Sequence, residues 1–228
     1  MDKRERSLIL RKEKKSFTQF LQVKSLIEIF QKYNKKHKLK VLETGCGYGF
    51  FTELISDYCS SLYATDLYDY FPSSLKENKK IKYFKNVDAQ KLPFENNFFD
   101  VIYSMDVIEH IADDKAFINE GLRVLKKGGD FIIGTPNRNR LANYLLKIIG
   151  RERKYPLFFG YDPNYGKAVH QQEYTPEDIG KLLKNSGYSW RVEKLYYLSF
   201  GLLGYFEVKC PYFLRNFCQF WLFVIRKK

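Results

Sequence analysis

The sequence is short of paired cysteines, of long apolar runs and of acidic charge. Its four cysteines, Cys46, Cys59, Cys210 and Cys218, match neither CxxC metal pairs nor a disulfide framework, so a reducing compartment is expected. The charged N-terminus has no apolar run behind it, and a secretory signal is not expected. The most apolar stretch, residues 213–225, is too short for a bilayer span and contains Arg215. It reads as a final sheet strand. Internal repeats and low-complexity tracts are absent. Acidic groups are outnumbered, with 26 Asp and Glu against 39 Lys and Arg, a formal net charge of +13.

What is present begins with 228 residues, enough for one domain with a sizeable core, and an aromatic content of 18%. The positive charge is concentrated. Residues 1–40 hold thirteen Lys/Arg against four Asp/Glu, and smaller excesses lie at 137–174 and 205–228. The rest of the chain is mildly acidic. A basic N-terminal arm suits an anionic membrane surface or nucleic acid, or is simply a solvated terminus.

Residues 16–33 read as an amphipathic helix, with Ser16 and Gln19 at capping-box spacing and Phe17, Phe20, Leu21, Ile27 and Phe30 on one face. Apolar strands then alternate with helices: strands at 40–44, 61–66, 81–88, 98–105 and 128–135, helices at 49–59 and 114–125. That alternation predicts a parallel sheet covered on both faces. Residues 175–188 form a further helix, with Thr175 as N-cap and Pro176 in the first turn. The runs 190–200 and 217–225 lack a long helix between them and read as an antiparallel edge. The stretch 136–174 is too long for an ordinary loop and reads as a lid or substrate-recognition insertion. Its Tyr155, Phe158, Phe159, Tyr161 and Tyr165 are candidates for an apolar substrate pocket. The division is therefore 1–38, a basic tail and helix, and 39–228, the main domain.

The chemistry centres on "LETGCGYG" (42–49). Gly45, Gly47 and Gly49 after a first strand allow a ligand to touch the backbone. A dinucleotide fingerprint requires GxGxxG, but Phe50 stands in the slot of its third glycine. Glu43, two positions before the first glycine, would repel a pyrophosphate and suit an ammonium group. Asp66, closing "ATD", is a candidate acceptor for ribose hydroxyls. Asp88, closing the third strand, is a candidate acceptor for an exocyclic amine.

With these residues the chain resembles class I S-adenosylmethionine-dependent methyltransferases, and is similar to the ubiquinone-pathway O-methyltransferase type. "VLETGCGYG" (41–49), "ATD" (64–66), "DAQKLPFENNFFDVI" (88–102), "VIEHI" (107–111), "RVLKKGGDFIIGTPN" (123–137) and "HQQEYTPEDIGKLLKNSGY" (170–188) carry the resemblance over about two-thirds of the chain. It implies an α/β fold, a Rossmann-like seven-stranded mostly parallel sheet with helices on both faces and one antiparallel strand. It also implies that Glu43 and the Gly45–Gly49 loop hold the methionine part of S-adenosylmethionine. Asp66 and Leu67 would hold ribose and adenine, Asp88 and Ala89 the adenine edge, and Ser104 would lie near the sulfonium. Thr44 and Lys127 depart from the family's usual apolar residue and proline.

Asp106, Glu109 and His110 stand at i, i+3 and i+4, one face of a helical turn. With His170 they form a candidate ligand set for Mg²⁺, Mn²⁺ or Zn²⁺. Asp106, His110 and His170 are the candidate catalytic residues. The spacing resembles two metal-dependent branches, ubiquinone-pathway catechol O-methyltransferases and small-RNA 3′-terminal 2′-O-methyltransferases. Metal-free relatives also carry Glu-His here, where His110 bonds locally or orients substrate, and His170 is equally a lid or capping histidine. The expected function is cytoplasmic methyl transfer to a hydroxyl oxygen of an aromatic, quinone-like or lipid-linked small molecule, with peripheral membrane contact as a second feature. Metal-dependent RNA 2′-O-methylation and an inactive S-adenosylmethionine-binding partner subunit are the alternatives.

Overall fold

The computed structural model describes residues 17–33, 38–162, 166–184, 189–195 and 216–228; the side chains of 17–21, 159–168 and 190–195 are outside the description. The chain begins with α1 (Phe17–Tyr33), β1 (Lys40–Thr44), α2 (Phe50–Ile55), β2 (Ser61–Thr65), α3 (Ser73–Lys76) and β3 (Ile81–Phe84). It continues with β4 (Phe99–Met105), α4 (Asp114–Val124), β5 (Leu125–Pro136) and α5 (Leu141–Ile148). A hairpin, β6 (Leu157–Asp162) and β7 (Gly166–His170), leads to α6 (Pro176–Leu182), β8 (Ser189–Leu195) and β9 (Phe220–Arg226).

Seven strands form one sheet in the order β3-β2-β1-β4-β5-β9-β8. Neighbours from β3 to β5 pair in parallel; β9 runs antiparallel to both β5 and β8. The predicted sheet, its single antiparallel strand and the antiparallel edge of the two last runs are all present. The strand order reverses between β1 and β4, and the carboxyl ends on either side of that point are where an open α/β sheet takes its ligand.

Strand residues alternate between two cores, as a pleated strand covered on both faces requires. Val41, Tyr103, Ile132 and Val224 face one side, packed with Leu26, Ile27 and Phe30 of α1 and Leu54 and Ile55 of α2. Leu42, Ile102, Ile133 and Phe223 face the other, packed with Phe117 and Leu122 of α4 and Ile179 of α6. In α1 the buried positions Val23, Leu26, Ile27 and Phe30 follow the i, i+3, i+4, i+7 rule. Each such side chain stabilises the fold by roughly 1.5–3 kcal/mol relative to exposure. The capping expectation at Ser16 lies outside the described residues.

The helix starts are chemically explicit. Asp113 caps α4 by accepting from the Ala116 N–H at 2.9 Å. Thr175 and Asp178 form a reciprocal capping box on α6. A Cβ at Gly121 of α4 would come within 2.3 Å of the Phe131 ring, so this glycine lets helix and sheet close up. The basic arm's helix is locked on by polar contacts: Asp130 of β5 accepts from Tyr33 of α1 and, at 2.8 and 2.7 Å, from Arg226 of β9.

Several boundaries differ from expectation. The helix after the glycines ends at Ile55 and tightens to a 3₁₀ turn at Ser56–Tyr58. The third strand stops at Phe84, because Asn86 turns the chain with φ +57°. The insertion 136–174 is structured, containing α5 and the β6–β7 hairpin. No helix among the described residues is long and apolar enough to cross a membrane.

Candidate active site

The loop after β1 is left-handed at each glycine, with φ of +69° at Gly45, +50° at Gly47 and +72° at Gly49. Side chains are disfavoured in that region, and at Gly45 and Gly49 there is no room for one. A Cβ on Gly45 would meet Val107 at 2.3 Å, and one on Gly49 would meet Leu75 at 2.5 Å. Asp66, at the carboxyl end of β2, fastens the loop. Its Oδ2 accepts from the Gly47 N–H at 2.7 Å and its Oδ1 from the Tyr68 N–H at 2.9 Å. A carboxylate has about four acceptor sites, so each oxygen retains one for a ligand hydroxyl. The side chain is mostly covered but 8% exposed. The chain after β3 reaches this point too: Asp66 donates its N–H to the Phe84 carbonyl at 3.1 Å, and Val87 donates to that of Asp66 at 2.9 Å.

Four expected cofactor contacts sit differently from the expectation. Glu43 is buried beneath the loop, where the hydroxyls of Thr52 and Tyr103 donate to its Oε2, the latter at 2.8 Å. Burial pushes its pKa up to about 8, against the hydrogen bonds from Thr52 and Tyr103. Ser104 is wholly buried, its hydroxyl 3.4 Å from the Thr44 carbonyl. Inter-strand packing takes that side chain out of ligand reach. Asp88 lies in the loop beyond β3 rather than at a strand end; it is exposed and accepts from the Gln90 N–H at 2.8 Å. Ala89 packs against the second core, while Leu67 is half exposed beside Asp66.

The segment after β4 is not one helical face. Asp106 is left-handed, with φ +55°, and only Ile108–His110 form a 3₁₀ turn. That break swings Asp106 toward α1, where Gln22 Nε2 donates to its carboxylate at 3.1 Å. Burial raises its pKa to about 6, opposed by Gln22 and His170. Glu109 is buried, accepting from the Thr135 hydroxyl at 3.0 Å. Burial, with the nearby Asp106 charge, pushes its pKa well up.

The β6–β7 hairpin delivers His170 to this turn. The Gln171 N–H donates to the Glu109 carbonyl at 2.7 Å, and His110 Nδ1 lies 2.8 Å from the Val169 carbonyl. The two imidazoles meet edge to face, ring centres 4.8 Å apart. His170 Nδ1 lies 3.3 Å from Oε1 of Glu173, a side chain with no exposed surface. Both Nδ1 atoms face oxygen acceptors, so in the neutral form of each ring the proton sits on Nδ1 and the lone pair on Nε2. Partial burial lowers the pKa of His110, which favours its neutral form. Burial works against a charge on Glu173, but hydrogen bonds from His170, Arg140 and Tyr155 hold its pKa down at about 2.

Glu109, His110 and His170 each offer a ligand atom, all within 4.8 Å of one another. Asp106 stands outside that group, contrary to the expected four-residue set. Glu173 is the residue that sequence reasoning missed. Its signal is the His-x-x-Glu spacing of 170–173, but its partners Arg140 and Tyr155 come from elsewhere in the insertion. Of the expected aromatic pocket, Phe158 is exposed and the Tyr155 hydroxyl is bound to Glu173; Tyr165 and the side chains of Phe159 and Tyr161 lie outside the described residues.

Residues 42–133 match the methyltransferase-domain family. The chain is 33% identical to a "probable S-adenosylmethionine-dependent methyltransferase" of Mycolicibacterium smegmatis, over 65% of this chain and 51% of that protein. It is 27% identical to a ubiquinone biosynthesis O-methyltransferase of Coxiella burnetii, over 59% of each. The chain thus spans only half to three-fifths of these relatives' length. Its fold matches an S-adenosylmethionine-dependent methyltransferase from Mesorhizobium loti with a TM-score of 0.61 at 15% identity, covering 89% of this chain and 98% of the other. Residues 42–133 thus resemble the methyltransferase-domain family, and the fold is similar to that of S-adenosylmethionine-dependent methyltransferases.

Proposed function

We propose that the protein is an S-adenosylmethionine-dependent methyltransferase acting on a hydroxyl oxygen of a small aromatic, quinone-like or lipid-linked acceptor. The observation that carries the oxygen reading is the paired imidazole site, His110 and His170, with His170 backed by the buried, ionised Glu173. A hydroxyl must lose its proton as it is methylated, and a neutral imidazole near its operating pH is suited to take it. Relatives named ubiquinone biosynthesis O-methyltransferases support a hydroxyl acceptor.

The residues present fit the cofactor. The left-handed glycine loop admits close backbone approach, and Asp66 retains acceptor capacity for two ribose hydroxyls. When bound, S-adenosylmethionine supplies a methyl group already activated on sulfur. The chain's own work is then orientation and proton transfer. Nε2 of His170 or His110 receives the acceptor's hydroxyl proton, and Glu173 stabilises the imidazolium at His170. The end of the β6–β7 hairpin packs on this turn through the Gln171–Glu109 and Val169–His110 contacts.

A second reading has a specific support: Glu109, His110 and His170 converge as three potential ligands, each imidazole donating its other N–H to an oxygen, as metal-binding histidines do. A divalent cation there would replace the general base by lowering the hydroxyl's pKa.

Radiolabelled methyl transfer to catechol-type acceptors, with and without EDTA, tests both. Transfer that survives EDTA and falls at least a hundredfold in His170→Asn supports the base. Loss in EDTA, restored by added metal, supports the cation. No transfer from S-adenosylmethionine to any hydroxylated acceptor contradicts the proposal.

A further inference from the structure

The insertion holds a cleft of about 440 Å³ that the cofactor cradle does not use. One wall is a face of α5, where Asn143, Tyr144 and Lys147 lie at adjacent helical positions; Arg138 borders it, and Arg153 and Tyr155 come from the chain returning toward β6. Three cations thus face the cleft against one carboxylate, Glu152. Two of them are positioned by ion pairs: Arg138 at 2.7 Å from Asp178, and Lys147 at 3.2 Å from Glu152 on the open rim. Arg153, half-buried, has no ion-pair partner among the described residues. Asn143 is 8% exposed, and its Nδ2 is committed to the Arg138 carbonyl at 2.8 Å and to Glu173 at 3.2 Å. That fixes the amide's orientation and leaves Oδ1 without a partner among the described residues.

Tyr155 joins this cleft to the imidazole pair. It lines the cleft, and its hydroxyl donates at 2.7 Å to Glu173 Oε2, while Oε1 of the same carboxylate faces His170. One buried side chain therefore separates the basic cleft from the candidate base.

We propose that this cleft holds the anionic group, a phosphate or a carboxylate, of the methyl acceptor, with the acceptor's hydroxyl directed past Tyr155 to His110 and His170. This rests on the methyltransferase reading above and narrows the acceptor to an anionic molecule. Guanidinium groups suit either anion as bidentate donors, and Lys147 adds a point charge. Arg153, without an ion-pair partner among the described residues, is the cation with most to gain from a ligand.

Fluorescence anisotropy with the full chain tests it, using 1-naphthyl phosphate, 1-naphthoate and neutral 1-naphthol as probes. At least one anion binds on the order of tenfold or more tighter than 1-naphthol. Which of the two wins distinguishes a phosphorylated acceptor from a carboxylated one. The combined variant Lys147→Gln with Arg153→Gln loses that preference, while S-adenosylhomocysteine affinity and thermal midpoint, read in parallel, stay as in the parent. Equal binding of all three probes overturns the proposal, as does an anion preference that survives in the double variant. Anion selectivity in a protein that fails to bind S-adenosylhomocysteine would retain the anion site and refute the methyltransferase reading alone.

Discussion

Replacing Glu173 by Gln removes one negative charge and nearly no volume. The carboxylate has no exposed surface and accepts from Arg140, Asn143, Tyr155 and His170. Its guanidinium partner Arg140 is only 7% exposed, so the variant strands a buried cation. Breaking a buried pair costs about 3–5 kcal/mol. The pKa gives a similar figure: a fall from 4.5 to about 2 corresponds to about 3 kcal/mol of stabilisation. For a chain of this size that is a drop of roughly 6–12 °C in Tm at pH 7. The sign follows from linkage. Glu173 has a depressed folded pKa, so its contribution is complete above about pH 4.5 and disappears as pH falls through about 2. The gap between wild type and Glu173→Gln should therefore persist from pH 8 to 5 and close on further acidification toward pH 2. Thermal melts followed by circular dichroism across that range read it. A gap under 2 °C at pH 7, or one that widens toward pH 3, would refute the claim that a buried charge holds the insertion together.

Gly45→Ala should lower S-adenosylhomocysteine affinity and Tm together, because the new methyl meets Val107 at 2.3 Å in a left-handed backbone; Val107→Ala in the same chain should recover part of the Tm, since it removes the clash but not the strain. Arg226→Gln should cost about 1–3 kcal/mol in urea unfolding, because among the described residues buried Asp130 keeps only Tyr33 as a side-chain donor, and an unchanged midpoint would contradict that. His110 has a lowered pKa, so any acid limb that it sets in the rate profile should fall below pH 6.5; a His110-dependent limb above pH 7 would run against the structure.

The sheet was legible because short apolar stretches such as Val41–Leu42, Val101–Tyr103 and Phe220–Ile225 recur along the chain and because the caps at Asp113 and Thr175 are local chemistry. The glycine loop and Asp66 were legible for the same reason, since a left-handed turn and a strand-end acceptor are coded within a few residues. What failed depended on side-chain direction. Glu43 and Ser104 are strand residues whose pleat and neighbours turn them into the interior. The i, i+3, i+4 spacing puts Asp106 on a helical face, but its positive φ breaks the face before it starts. Asp88 was displaced by the turn at Asn86. The Glu173 network was out of reach because Arg140, Tyr155 and His170 come together only when the insertion folds back on the turn after β4.

The central claim is that the cradle between Gly45 and Asp66 holds an adenosyl cofactor. Isothermal titration of S-adenosylhomocysteine into the full chain and into Asp66→Ala tests it. The wild type should bind at one site and the variant at least tenfold more weakly, because two ribose hydroxyls lose their acceptor. Absence of binding to the wild type, or equal affinity in the two proteins, would contradict it.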